Sequence, residues 1–219
     1  ALIEVRDRFG GNTVALEDHA RQPVTYARVI LGALVLGRAL GHGTSRGERV
    51  GVLLPTSQGM AVTLFALQAF GRVPALLNFT AGPRNLQAAC EIAQVRTLVT
   101  SRRFVDQGKL EDVVEGLGQG RRVVYLEDVR AALTSFDKLR GLVSSWFAGV
   151  VERRSGVAPD DPAVILFTSG SEGVPKAVAL SGTNLVGNAM QIGLHAEGAL
   201  GPADTLFNPL PAFHSFGLT

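Results

Sequence analysis

One cysteine among 219 residues excludes an internal disulfide. That residue, Cys90, keeps register with Leu86 and Ala93 on the apolar face of an expected helix, which is the place of a packing residue and not of a reactive thiol. Long apolar runs are also missing. Residues 29–40 are interrupted by Gly32, Gly37 and Arg38, and residues 60–77 by Gln68, Arg72 and Pro74, so neither reads as a transmembrane span. Charge of one sign is not in excess, because 21 Lys and Arg face 19 Asp and Glu for a net +2. The arginine pairs 102–103, 121–122 and 153–154 are scattered and form no stripe, which argues against a nucleic-acid partner. His19, His42 and His195 have no metal-like spacing and no acidic companions, so no metal ligands are assigned. Neither an internal repeat nor a low-complexity tract is present. The N-terminus carries no signal-peptide pattern and begins with Ala1, so a chain that starts inside a longer, cytoplasmic protein is expected.

What is present is a composition of 46% hydrophobic and 18% charged residues, which suits one large globular domain or two small ones burying roughly 70% of the unfolded surface. Short β-branched runs alternate with amphipathic segments. Leu2, Val5 and Phe9 have helical spacing up to Gly10-Gly11, and residues 13–16 read as a strand. Thr25 is placed to cap a helix reaching about Leu40. Strands are then expected at 49–54, 73–77, 96–100 and 122–126. Between them come a helix capped by Thr56 or Ser57 and carrying Met60, Leu64, Leu67 and Phe70 on one face, a helix opening at Pro83, and a helical stretch near 109–117. Such alternation predicts an α/β fold: a doubly wound, largely parallel sheet with helices on both faces. Residues 131–151 read as helix and connector. Their apolar side, Leu139, Leu142, Val143, Trp146, Phe147 and Val150, is expected to pack on the sheet, with a lipid-facing surface as the alternative. The polar stretch 152–161, ERRSGVAPDD, suggests a boundary between a first α/β subdomain, 1–158, and the start of a second, 159–219.

The chain is organised around residues 163–176, AVILFTSGSEGVPK. Ala163 to Phe167 form a continuous apolar run, the pattern of a strand buried on both faces. Thr168, Ser169, Gly170, Ser171, Glu172 and Gly173 follow with hydroxyls and unobstructed backbone N–H groups that can converge on an anion, and Lys176 adds a positive charge. This is not a Walker A loop, since Pro175 precedes the lysine and residues 177–180 read as a second strand and not a helix. From spacing alone, an ordinary turn followed by a solvated lysine fits equally well. A helix starting at Thr183 or Asn184 and running to about His195, then a strand at 204–208, complete the pattern.

The segment FTSGSEGVPK resembles the signature loop of the adenylate-forming superfamily, which includes acyl-CoA synthetases, adenylation domains of peptide synthetases and luciferases. Residues 208–217, NPLPAFHSFG, resemble that superfamily's aromatic-histidine motif. GRVPALLNFTAG (71–82), Thr100-Ser101-Arg102 and VVYLEDVR (123–130) are similar to one branch, the acyl-[acyl carrier protein] synthetase domains associated with 2-acylglycerophosphoethanolamine acyltransferases. The resemblance implies the N-terminal part of an acetyl-CoA synthetase-like fold. It also implies an enzyme that uses ATP and Mg2+ to convert a long-chain fatty acid to acyl-AMP and then to a thioester on acyl carrier protein. Coenzyme A as acceptor, and a non-catalytic nucleotide-binding fragment, are the alternatives.

On this resemblance Thr168, Ser169, Gly170, Ser171, Gly173 and Lys176 cradle the β- and γ-phosphates. Glu172 points to solvent or assists the magnesium. His214 lies beside the acyl carboxylate, where it either presents an imidazole N–H to the α-phosphate or gates the acyl tunnel, while Phe213 and Phe216 wall the acyl pocket; a packed histidine without a role is the plain alternative. Ala177 and Gly182 depart from the residues usual after the loop. The later elements of the superfamily lie beyond Thr219, so residues 1–219 alone are expected to be inactive. A peripheral membrane contact at the inner face of the cell membrane, or fusion to an acyltransferase domain, also follows from the resemblance.

Overall fold

The computed structural model describes residues 1–169, 175–196, 199, 201 and 204–218. Helix α1 (Leu2–Phe9) stops at Gly10, whose φ of 93° suits a residue without a Cβ. β1 (Val14–Leu16) and β2 (Val24–Thr25) pair as a small antiparallel ribbon. Thr25 then caps α2 (Tyr26–Gly41), its hydroxyl accepting the N–H of Arg28 at 3.4 Å. After β3 (Arg49–Val52), Ser57 caps α3 (Gln58–Ala69) by accepting the N–H of Met60 at 3.3 Å. The remaining elements of the first half are β4 (Val73–Leu76), α4 (Pro83–Ile92, with proline in its first turn) and β5 (Thr97–Thr100).

Beyond β5, α5 (Arg102–Gly108) precedes α6 (Glu111–Gly118), so the expected helical stretch is one of a pair. β6 (Arg122–Tyr125) leads into α7 (Leu126–Ala132), α8 (Ser135–Trp146) and α9 (Ala148–Ser155). β7 (Pro162–Ser169), β8 (Pro175–Ser181), α10 (Gly182–His195) and the short α11 (Ser215–Leu218) end the described chain. Ser181 and Asn184 form a reciprocal capping box on α10, two residues ahead of the expected start.

Six strands form one sheet in the order β6-β5-β3-β4-β7-β8, parallel except for the antiparallel β7–β8 pair. The sheet therefore takes strands from both sides of the 152–161 stretch. Pro74 is tolerated inside β4 for a directional reason. The N–H groups of Val73 and Leu77 donate to Glu48 and Val52 on the β3 side, at 2.9 and 3.0 Å, so the N–H that Pro74 lacks belongs on the β7 side. There β4 pairs β7 only through Ala75 and Ile165.

Alternation along the strands divides the core. Leu53, Ala75, Leu77, Leu98 and Ile165 pack with Leu86, Cys90, Val105, Val114 and Leu117 of α4, α5 and α6. Val50, Val52, Leu76, Val99, Val164 and Leu166 face the other way, against Leu40 of α2 and Met60 and Leu67 of α3. Helices thus cover both faces of a doubly wound sheet, as the alternation predicts. Burial pushes the Cys90 thiol up to about 11, which suits a packing role.

Two expectations are corrected. Residues 204–208 form no strand; Leu206 and Phe207 are exposed, and no described strand lies alongside to take their backbone hydrogen bonds. The apolar side of α8 does not pack on the sheet. Gly141 turns inward instead, where an added Cβ would overlap Val35 and lie 3.6 Å from Leu31 of α2. Ser144 accepts from Arg38 at 3.4 Å, and the Ser145 carbonyl accepts from Arg6 at 3.0 Å. A small polar stripe makes the inward contacts, Gly141 and Ser144 with α2 and Ser145 with α1, so Leu139, Leu142, Val143, Trp146 and Phe147 are left exposed.

Candidate active site

Parallel strands bring their carboxyl ends to one edge of the sheet, and the loops after β3 and β4 diverge there. The first leads to α3 on one face and the second to α4 on the other, so a crevice opens between them, the usual ligand position in such sheets. The 208–218 segment seats over this crevice. Its Ala212 N–H donates to Thr56 Oγ1 at 3.0 Å, just past β3. Phe213, only 6% exposed, meets Phe79, just past β4, edge to face at 5.2 Å, and Phe79 meets Phe104 at 5.0 Å.

The anchored phenylalanine orients its neighbour. The His214 ring lies 4.9 Å from the Phe213 ring and is exposed. The His214 backbone N–H donates to the Pro211 carbonyl at 3.0 Å, and the His214 carbonyl accepts from the backbone N–H groups of Gly217 and Leu218 to start α11. Asn208 ties the segment together, donating to the Gly217 carbonyl at 2.7 Å while its Oδ1 accepts the Leu210 N–H at 3.1 Å. Gly217 is required by close approach, since a Cβ there would meet the Leu210 carbonyl at 2.8 Å and overlap that of Pro211. Phe216 is 75% exposed, whereas Phe213 is buried in the core.

The hairpin beside this crevice carries the other candidates. Ser169 of β7 pairs with Pro175 of β8, and Thr168 pairs with Lys176, at the carboxyl end of β7. Thr168 and Lys176 are exposed cross-strand partners in register with Leu166–Val178 and Val164–Leu180, on the face that also buries Phe213. Among the described residues no side chain pairs with the Lys176 ammonium. Gly170, Ser171, Glu172 and Gly173 lie outside the described residues, as does the side chain of Ser169.

The structure therefore brings Thr168 to Lys176 and Phe213 to His214, both at the carboxyl edge. It also adds Thr56 and Phe79, which spacing does not single out. Thr56 reads from sequence only as one of two adjacent helix caps, and Ser57 takes that role. Among the described residues no three His, Cys, Asp or Glu side chains are grouped to hold a metal ion.

Residues 4–219 match the AMP-binding enzyme family, and the chain belongs to it. An acyl-CoA ligase, sidI, of Beauveria bassiana is 30% identical over 179 residues, covering 80% of this chain and 31% of the relative. The sulfoacetate–CoA ligase of Cupriavidus necator is 29% identical over 222 residues, covering all of this chain and 41% of the relative. The chain thus spans about two fifths of the length of these relatives. The o-succinylbenzoate CoA synthetase of Bacillus subtilis, solved with its acyl-adenylate intermediate, superposes with a TM-score of 0.77 at 19% identity, over 99% of this chain and 51% of that one. At that identity the likeness establishes the fold alone.

Proposed function

We propose that the protein activates a long-chain fatty acid with ATP and passes the acyl group to the thiol of acyl carrier protein. The carrying observation is the exposed Thr168–Lys176 pair at the carboxyl end of β7, on the same sheet face as the buried anchor of the His214 segment. A hydroxyl and an unpaired ammonium suit the oxygens of a polyphosphate, so Thr168 and Lys176 fit ATP at this place. Magnesium would enter with the nucleotide. The Bacillus subtilis o-succinylbenzoate CoA synthetase has been solved with ATP and magnesium ion.

In the reaction, a carboxylate oxygen attacks the α-phosphorus and pyrophosphate leaves. The acceptor thiol then displaces AMP from the acyl carbon. Lys176 holds positive charge against the departing phosphates, Thr168 donates from its hydroxyl, and His214 offers an imidazole at the carboxylate. No acidic residue within 208–217 offers an ammonium partner, and the exposed Phe216 and Leu210 suit an alkyl chain. A long-chain-fatty-acid–CoA ligase of Saccharomyces cerevisiae is 44% identical over 61 residues, 28% of this chain, which supports the fatty acid.

Coenzyme A as acceptor is the second reading, favoured by the CoA-ligase names of the relatives. The test is ATP–pyrophosphate exchange by the full-length protein with a panel of fatty and amino acids, followed by mass analysis of acyl transfer to each acceptor. Exchange with palmitate-like acids and acylated carrier protein are expected. Stronger exchange with amino acids removes the substrate assignment, and acylation of coenzyme A alone removes the acceptor.

A further inference from the structure

The face of α8 that the fold leaves unpartnered has a specific chemistry. Phe136, Leu139, Val143, Trp146 and the C-cap Phe147 recur at i, i+3, i+7, i+10 and i+11, one stripe of a helix, and Phe136 and Trp146 are 67% and 71% exposed. Arg140 borders this stripe on one side, and Lys138 lies on the other side beyond Leu142; both are exposed. Apolar side chains in this number are normally covered, and this stripe joins bulky aromatic residues to flanking cations. We propose that the outer face of α8 docks on an anionic phospholipid surface, with Trp146, Phe136 and Phe147 entering the interface and Lys138 and Arg140 meeting the lipid phosphates.

Charge complementarity favours lipid over the other occupants. Asp137 is the one acidic residue of α8, and it is engaged in the capping box, accepting from the Thr134 N–H at 2.9 Å and the Thr134 hydroxyl at 2.6 Å. A second copy pairing through α8 would therefore bring cations to cations with no carboxylate between them. Further basic residues, Arg153 and Arg154, end the adjacent α9, against Glu152 alone. Continuation of the chain has a nearer place to go. The described chain ends at the carboxyl edge of the sheet, and Val178 of β8 and Val186, Met190 and Leu194 of α10 are exposed in the last two long elements. α8 instead lies on α2, outside the layer of helices that covers the sheet.

Trp146 provides a reporter. The full-length protein and its Trp146→Phe variant are mixed with vesicles of phosphatidylcholine alone or with phosphatidylglycerol, and the difference in emission isolates Trp146. A blue shift and co-sedimentation with the anionic vesicles are expected. Lys138→Glu with Arg140→Glu should lower partitioning about tenfold or more, and Leu139→Ser with Phe147→Ser should abolish it, with circular dichroism and pyrophosphate exchange on a short soluble acid unchanged. Emission already blue-shifted without vesicles overturns the proposal: if it is concentration-dependent the face is a self-association surface, and otherwise the rest of the chain covers it. Binding that ignores phosphatidylglycerol and the charge reversals overturns it as well.

Discussion

Lys176 and Glu127 illustrate opposite uses of a charged residue. Lys176 is exposed and unpaired among the described residues, so its removal costs the fold little and any phosphate site a great deal. Lys176→Ala in the full-length protein is expected to slow pyrophosphate exchange about a hundredfold, the usual scale for removing one charged stabiliser of a phosphoryl transition state. Unchanged exchange would remove Lys176 from the site. Glu127 is structural. It reaches from α7 to the start of α5, where its carboxylate accepts from Ser101 Oγ at 2.7 Å and from the N–H groups of Arg102 and Arg103 at 3.0 and 3.4 Å. Desolvation pulls its pKa upward, but these hydrogen bonds outweigh it and hold the carboxyl below its ordinary value of 4.5. A depressed carboxylate contributes its stability above the unfolded pKa and loses it as pH falls through the folded one. Glu127→Gln should therefore cost about 1 to 2 kcal/mol at neutral pH. In urea unfolding the gap from the parent protein should be fully present above the ordinary carboxylate pKa and narrow as pH falls through the depressed folded-state one; a gap independent of pH would reject the carboxylate's role.

At the scale of elements, α2 and α3 cross where Gly37 faces the Ala66 carbonyl and the Phe70 ring, and a Cβ would overlap both. Gly37→Ala should gain about 1 kcal/mol of helix propensity and lose about 1 to 3 kcal/mol to overpacking, a net loss. A raised melting temperature would show that the helices part easily. Most of these elements are legible in sequence because each carries its own signals. Thr25 and Ser57 at helix starts, Pro83 in a first turn and the β-branched runs of β3 and β5 act through neighbours a few residues away. α8 is the instructive exception. Its period is readable, but which stripe turns inward depends on α2, more than a hundred residues earlier, offering Val35 a place that only Gly141 can fill.

The sheet of the whole molecule ends at β8, which has no described partner on its outer side, and α10 buries none of its residues. Hydrogen exchange in residues 1–219 should accordingly be fastest in β8 and α10 and slowest in β3, β4 and β5, whose strands lie between others in the core. Uniform protection would mean that β8 and α10 are as stable as the centre. The same protein is expected to show no measurable pyrophosphate exchange beside a full-length parent, since it spans about two fifths of the relatives' length. Robust turnover by 1–219 would place all the essential groups within it.

The sequence by itself determined the alternation of strands and helices, the parallel sheet and the two motifs at 163–176 and 208–217, because periodicity and motif spacing are properties of neighbouring residues. Only the tertiary structure decided that Phe213 is a core anchor and Phe216 an exposed ring, although both sit in one aromatic run. It also decided that Thr56, 156 residues before Ala212, holds the histidine segment over the crevice between β3 and β4. Such contacts arise from the order in which strands are laid into the sheet, and that order is set by the packing of both faces at once, which no local stretch encodes.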